Sequence, residues 1–208
     1  MSVRTALLGA VIVAGALTGV PVAAAQPCPD VEVVFARGTT EPPGVGGTGQ
    51  AFVDALRDRL DDRSMRVYAV AYPADHDFQT STPAGAADAA ARVRAVAASC
   101  PETRIVLGGF SQGAAVVDLA TNQLPPELAD HVAAIVDFGG PRSGFADTVL
   151  ARGRAPRVAP AFAPKALDLC VPHDPICFDG GFDMNAHNSY IATGLVQQGA
   201  AFAAERLG

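Results

Sequence analysis

The sequence predicts an α/β protein of three layers, with a central parallel sheet of about five strands between helices. Three observations carry this. Short β-branched runs alternate with helical stretches along the chain, as strands joined by crossover helices do. Half of the 208 residues are apolar and 17% are charged, enough to bury one core. The unusual residues fall in segments just after predicted strands, where such sheets keep their working groups.

The first element, Val31–Ala36 (V-E-V-V-F-A), is a short β-branched run ending at Arg37-Gly38 and reads as a buried strand. A Gly/Pro/Thr loop runs to about Gly47, and Thr48 is the expected N-cap of a helix to about Asp62 with Phe52, Val53, Leu56 and Leu60 on one face. Arg66–Ala71 is the second strand, and Tyr72–Pro83 a polar loop bounded by prolines. Ala84–Ser99 is an alanine-rich helix, and Thr103–Leu107 the third strand, followed at once by Gly108-Gly109. Gln112–Asn122 is helical and stops before Pro125-Pro126. His131–Phe138 is the fourth strand, ending at Gly139-Gly140-Pro141. Residues 142–164 form a loop with a short helix near Ala146–Arg152, Lys165–Cys170 is the fifth strand, and Asn188–Arg206 a closing helix.

Residues 1–25 differ from the rest. They hold a single charge, Arg4, an apolar stretch Ala6–Val20, and Ala23-Ala24-Ala25, the pattern of a secretory signal peptide cut near Ala25–Gln26. Gly9, Gly15, Gly19 and Pro21 interrupt the run, which argues against a membrane anchor needing about 20 solid apolar residues. Residues 26–208 then form one domain, secreted or held at the cell wall, with no stable membrane insertion and expected to be a monomer. The net charge of −6 gives no basic footprint, so nucleic acid is excluded as a partner.

Outside the cytoplasm four cysteines suggest two disulfides, and three pairings are possible. Cys170 and Cys177 are close in sequence and flank V-P-H-D-P-I, which leaves Cys28 and Cys100 as a long-range pair. No C-x-x-C spacing points to a metal, and no cofactor is expected.

Gly109-Phe110-Ser111-Gln112-Gly113 matches G-x-S-x-G between a strand and a helix. In that setting the serine sits on a strained turn with its Oγ projecting, and the two glycines remove Cβ atoms that would collide there. A serine hydroxyl is a weak nucleophile and needs a positioned base. Of the four histidines, His76 precedes the serine and His131 starts a strand, leaving His173 and His187. His187 follows a Gly-rich loop and precedes the last helix, the usual place of the base, with His173 the alternative. Asp168, Asp174, Asp179 and Asp183 lie between serine and base. Asp174, just after the fifth strand, is the preferred acid, and Asp179 and Asp183 are expected to face solvent. An oxyanion hole needs two donors. The Gln112 backbone N–H supplies one, and Thr39, in the loop after the first strand, is the candidate for the other. Phe78, Phe110, Phe178, Phe182 and Met184 are the candidates for substrate contact.

Together A-R-G-T-T-E at 36–41, C-P at 100–101, G-G-F-S-Q-G-A at 108–114, C-V-P-H-D-P-I-C at 170–177 and H-N-S-Y at 187–190 resemble the cutinases, most closely the secreted bacterial cutinase-like serine esterases. The resemblance spans the expected mature chain. It implies a small α/β-hydrolase fold of five central parallel strands with no lid, a Ser111–Asp174–His187 triad, an oxyanion hole from Thr39 and Gln112, and disulfides Cys28–Cys100 and Cys170–Cys177. Thr39 stands where fungal members carry serine, and Phe110 where tyrosine is common. The expected function is hydrolysis of carboxylic esters, of lipid or polyester type with short to medium acyl chains. A phospholipase or thioesterase on the same site, or a silent lipid-binding surface antigen, are the alternatives.

Overall fold

Val31–Ala36 (β1), Met65–Ala69 (β2), Arg104–Phe110 (β3), Val132–Phe138 (β4) and Ala166–Leu169 (β5) form one sheet, every pair parallel, in the order β2-β1-β3-β4-β5. The structure is a computed structural model that describes residues 27–149 and 154–208. The expected signal peptide and the end of the helix expected near Ala146–Arg152 lie outside the described residues. Gly46–Arg57 (α1), Phe78–Ser99 (α2), Gln112–Gln123 (α3), Gly144–Val149 (α4), Met184–His187 (α5) and Leu195–Leu207 (α6) complete the fold, with 3-10 turns at Pro126–His131 and Ala163–Lys165.

Alternation along each strand sends its side chains to two separate cores. From β1, Val31, Val33 and Phe35 join Phe52, Val53 and Leu56 of α1 and Val196, Ala200 and Ala203 of α6. Val34 and Ala36 point the other way, against Ala86, Ala89, Ala90 and Val93 of α2 and Val116 and Val117 of α3. Glu32 points that way too. It is fully buried and is held by Arg92 of α2 and by Arg66 at 3.6 Å. A register shift between β3 and β4 pairs Ile105 with Val132 and Val106 with Ala134. The chain leaves β1 in one direction and β3 in the other, so a crevice opens beyond their carboxyl ends. The loops after these strands carry Thr39 and Ser111.

The departures from expectation have local causes. Helix α1 starts at Gly46, before Thr48, because the Glu41 carboxylate already accepts the Gly47 N–H at 2.7 Å, so no cap from Thr48 is needed. It ends at Arg57 and turns follow, with Asp61 at φ +49°. Helix α2 begins at Phe78 and runs through Pro83, where the sequence pattern places the end of a loop. An interior proline costs about 3 kcal/mol. Here burial of Ser81, Thr82, Gly85, Ala86 and further apolar positions on the same helix outweighs it. The closing helix starts at Leu195 and not at Asn188, because Gly194 at φ +78° sets its beginning and turns carry residues 188–194.

Candidate functional site

The turn between β3 and α3 holds Ser111 at φ +56° and ψ −117°, a conformation non-glycine residues seldom take. Its N–H donates to the Phe138 carbonyl at 2.8 Å, which ties the turn to β4. A Cβ on Gly109 would lie 2.3 Å from the Gly113 backbone, and one on Gly113 would lie 2.0 Å from the Ala36 carbonyl oxygen. Gly109 is therefore demanded by the close approach of the elbow's own backbone, and Gly113 by its packing on the end of β1.

His187, the last residue of α5, places Nε2 2.9 Å from Ser111 Oγ and Nδ1 2.8 Å from Asp174 Oδ2. A carboxylate on Nδ1 selects the tautomer whose Nε2 is free to accept the serine proton. Asp174 is fully buried in the loop closed by the Cys170–Cys177 bridge. Burial pushes its carboxyl up, but hydrogen bonds from His187, Tyr190 and the Ile176 N–H outweigh that and hold it below the ordinary aspartate range. His173 is exposed, at φ +71°, with its ring against those of Phe178 and Phe182 and no described hydrogen bond to Ser111. The other carboxylates are engaged elsewhere. Asp168 pairs with Arg142, Asp179 accepts the Gly144 N–H at 2.8 Å, and Asp183 caps α5 through the Asn185 N–H at 2.9 Å.

Tyr190 escaped the sequence reading as a site residue. Its hydroxyl donates to Asp174 Oδ2 at 2.6 Å, and its buried ring meets Phe110, Phe138 and His187 edge-on. Burial and then the Asp174 carboxylate push its hydroxyl well above the usual tyrosine range, so it stays a donor. The available signal was a tyrosine three residues past the candidate base, since a buried phenol must find a partner.

Thr39 and Gln112 come together: the Thr39 hydroxyl donates to Gln112 Oε1 at 3.1 Å, and Gln112 Nε2 donates to Thr82 Oγ1 at 3.3 Å. The Thr39 loop is clamped by the other residues of A-R-G-T-T-E. Buried Arg37 donates to the carbonyls of Glu41 and Tyr72, each at 2.8 Å, and the Tyr72 hydroxyl donates back to the Arg37 carbonyl. Glu41 also accepts the Gly38 N–H at 2.6 Å.

A cavity of about 320 Å³ opens beside Ser111. Phe78, Gln79, Thr82 and Pro83 of α2 face Gln112, Ala115 and Leu119 of α3, and Pro141, Ile176 and residues 154–156 complete the walls. Of the expected contact residues, Phe78 lines it. Phe110 does not: it is 8% exposed and stacks on the His187 ring at 5.0 Å, because its strand position aims it into the core. Phe178, Phe182 and Met184 also lie outside the lining, on an exposed apolar stretch before His187, with Phe182 81% exposed. The bridges Cys28–Cys100 and Cys170–Cys177 are both present. Among the described residues no helix is long and apolar enough to cross a membrane.

A family model described as Cutinase matches residues 27–207. The chain is 50% identical to carboxylesterase Culp1 of Mycobacterium tuberculosis, over 88% of this chain and 84% of that one. It is 43% identical to phospholipase Culp4 of the same species, over 98% and 91%. Among solved structures, a Trichoderma reesei cutinase in complex with a C11Y4 phosphonate inhibitor superposes with a TM-score of 0.71 at 34% identity, covering 88% of this chain and 78% of that one.

Proposed function

The chain belongs to the cutinase family and is a carboxylic ester hydrolase, and from that premise we propose that it is a secreted serine esterase working through Ser111, His187 and Asp174. The observation that carries this reading is the unbroken hydrogen-bonded line from Asp174 through His187 to Ser111 at the mouth of the cavity. Ser111 Oγ attacks the ester carbonyl while His187 Nε2 takes its proton. The Asp174 carboxylate, buried and ionised, stabilises the imidazolium that results. Charge on the carbonyl oxygen is met by the Gln112 N–H and by Thr39, whose hydroxyl can turn from Gln112 Oε1 to the oxyanion. His187 then protonates the leaving alcohol, and water repeats the cycle on the acyl-enzyme.

The largely apolar, open cavity suits a short to medium acyl chain of a lipid or polyester. Secretion is supported by the signal-like residues 1–25 and by two disulfides. Ser111, His187 and Asp174 come from one chain, in keeping with action as a monomer. A second reading, phospholipase specificity on the same site, draws on the likeness to Culp4. The test is Ser111→Ala, which should lower p-nitrophenyl ester hydrolysis by about 10³-fold or more with the fold intact. A phosphonate probe should label the parent protein and not the variant. Labelling of Ser111→Ala would overturn the assignment, and a profile of neutral esters against phospholipids separates the two specificities.

A further inference from the structure

Among the described residues that line the cavity beside Ser111, one side chain is charged, Arg154. Every other arginine among the described residues donates a hydrogen bond to a carbonyl or a carboxylate. Arg157 holds Pro141, Arg104 holds Asp130 and Arg94 holds Gln123, for example. Arg154 has no such bond and no ion pair among the described residues. Its backbone is nonetheless anchored: the next residue, buried Ala155, donates its N–H to Asp147 Oδ1 at 2.8 Å, and Asn122 Nδ2 donates to the Arg157 carbonyl at 2.7 Å. Asp147 Oδ1 is thereby engaged by backbone, and no ion pair joins Asp147 to Arg154.

In a chain with 21 acidic and 15 basic residues, the described lining of the substrate cavity thus holds no carboxylate and one cation with no hydrogen bond or ion pair among the described residues. Neutral esters offer a guanidinium only uncharged oxygen acceptors, whereas a carboxylate or phosphodiester matches its donor fork and its charge. We propose that Arg154 is a specificity residue that favours esters carrying an oxyanion, either a free carboxylate on the acyl chain or a phosphodiester on the alcohol side. The inference rests on the esterase reading of Ser111. The apolar walls from Phe78, Pro83 and Leu119 hold the chain, and Arg154 takes the charge.

The experiment compares kcat/KM for matched pairs. One pair is the mono-p-nitrophenyl ester of suberic acid against p-nitrophenyl octanoate. The other is dihexanoyl phosphatidylglycerol against dihexanoylglycerol, each below its aggregation limit. Arg154→Gln should lower the anionic-to-neutral ratio about fivefold, the upper end of what a solvent-exposed ion pair supplies. Arg154→Lys should retain most of the ratio, and Arg154→Glu should lower it further. The parent ratio should also shrink as salt is raised. A drop in the first pair alone identifies the acyl carboxylate, and a drop in the second alone the phosphodiester. Equal ratios for the parent and Arg154→Gln in both pairs overturn the proposal while leaving the esterase reading intact. Hydrolysis surviving in Ser111→Ala would strike at that reading instead.

Discussion

Replacing Tyr190 with phenylalanine removes one oxygen from the site and keeps the ring. The ring contacts with Phe110 at 5.7 Å and Phe138 at 6.1 Å survive, so no large cavity forms. What is lost is a 2.6 Å hydrogen bond into a fully buried carboxylate. A hydrogen bond to a charged group contributes about 1.5–3 kcal/mol, and Tyr190→Phe should destabilise the protein by that order at pH 8. Asp174 would keep His187 and the Ile176 N–H as donors. Its pKa, depressed in the parent, should rise toward the ordinary value. A depressed carboxyl pKa contributes stability above the unfolded value of 3.8, and that stability is lost as pH falls through the folded value. The gap between parent and variant should therefore be widest above about pH 5 and narrow below about pH 4. A more basic Asp174 also pulls harder on the imidazole, so the acid limb of kcat/KM should move to higher pH. Urea unfolding at pH 8 and at pH 3, together with the pH–rate profile, reads both effects. A variant that matches the parent in stability at pH 8 and in its acid limb would refute the reasoning.

A buried acidic cluster offers a second pH test. Asp118 and Asp137 share Arg142, with Asp118 Oδ2 2.8 Å from its Nη2 in an ion pair that lacks hydrogen-bond geometry. Burial, against the pull of Arg142, pushes Asp118 up to about 6, and Asp137 is raised by burial and by Asp118 beside it. A raised carboxyl pKa costs stability as pH climbs from 3.8 through about 6, so the stability of Asp118→Asn relative to the parent, read by urea unfolding, should be more favourable at pH 8 than at pH 4 by on the order of 1–3 kcal/mol. Gly113→Ala should leave little folded protein, since its Cβ would meet the Ala36 carbonyl oxygen at 2.0 Å; a parent-like Tm would contradict the elbow geometry. The bridges should separate stability from rate. Cys28–Cys100 spans 72 positions and Cys170–Cys177 spans 7, worth about 4.4 and about 2.5 kcal/mol by chain entropy. The paired serine variant of the first should melt earlier yet keep much activity. That of the second should lose more activity than its melting shift explains, and full activity in the folded 170/177 variant would reduce that bridge to a staple.

The sequence by itself determined the strand–helix alternation, the elbow at Gly109–Gly113 and a short set of partners for Ser111, because these are local. Period, turn residues and chain order are written in neighbouring positions. The tertiary structure alone decided what distant segments do to one another. Helix α1 starts where the Glu41 carboxylate, from the preceding loop, takes a backbone donor, and no local pattern encodes that cap. Pro83 is tolerated inside α2 because the face around it is buried, which overrides a local preference. Phe110 turned out to pack on His187, and the cavity took its wall from Phe78, Leu119 and Arg154, residues up to 76 positions apart in the chain. Tyr190 reaches Asp174 across 16 positions, through turns that carry the chain past His187 and that no local pattern encodes. A side chain's neighbours across the core follow from the closing of the sheet and its helices, and a linear pattern records only the face it prefers.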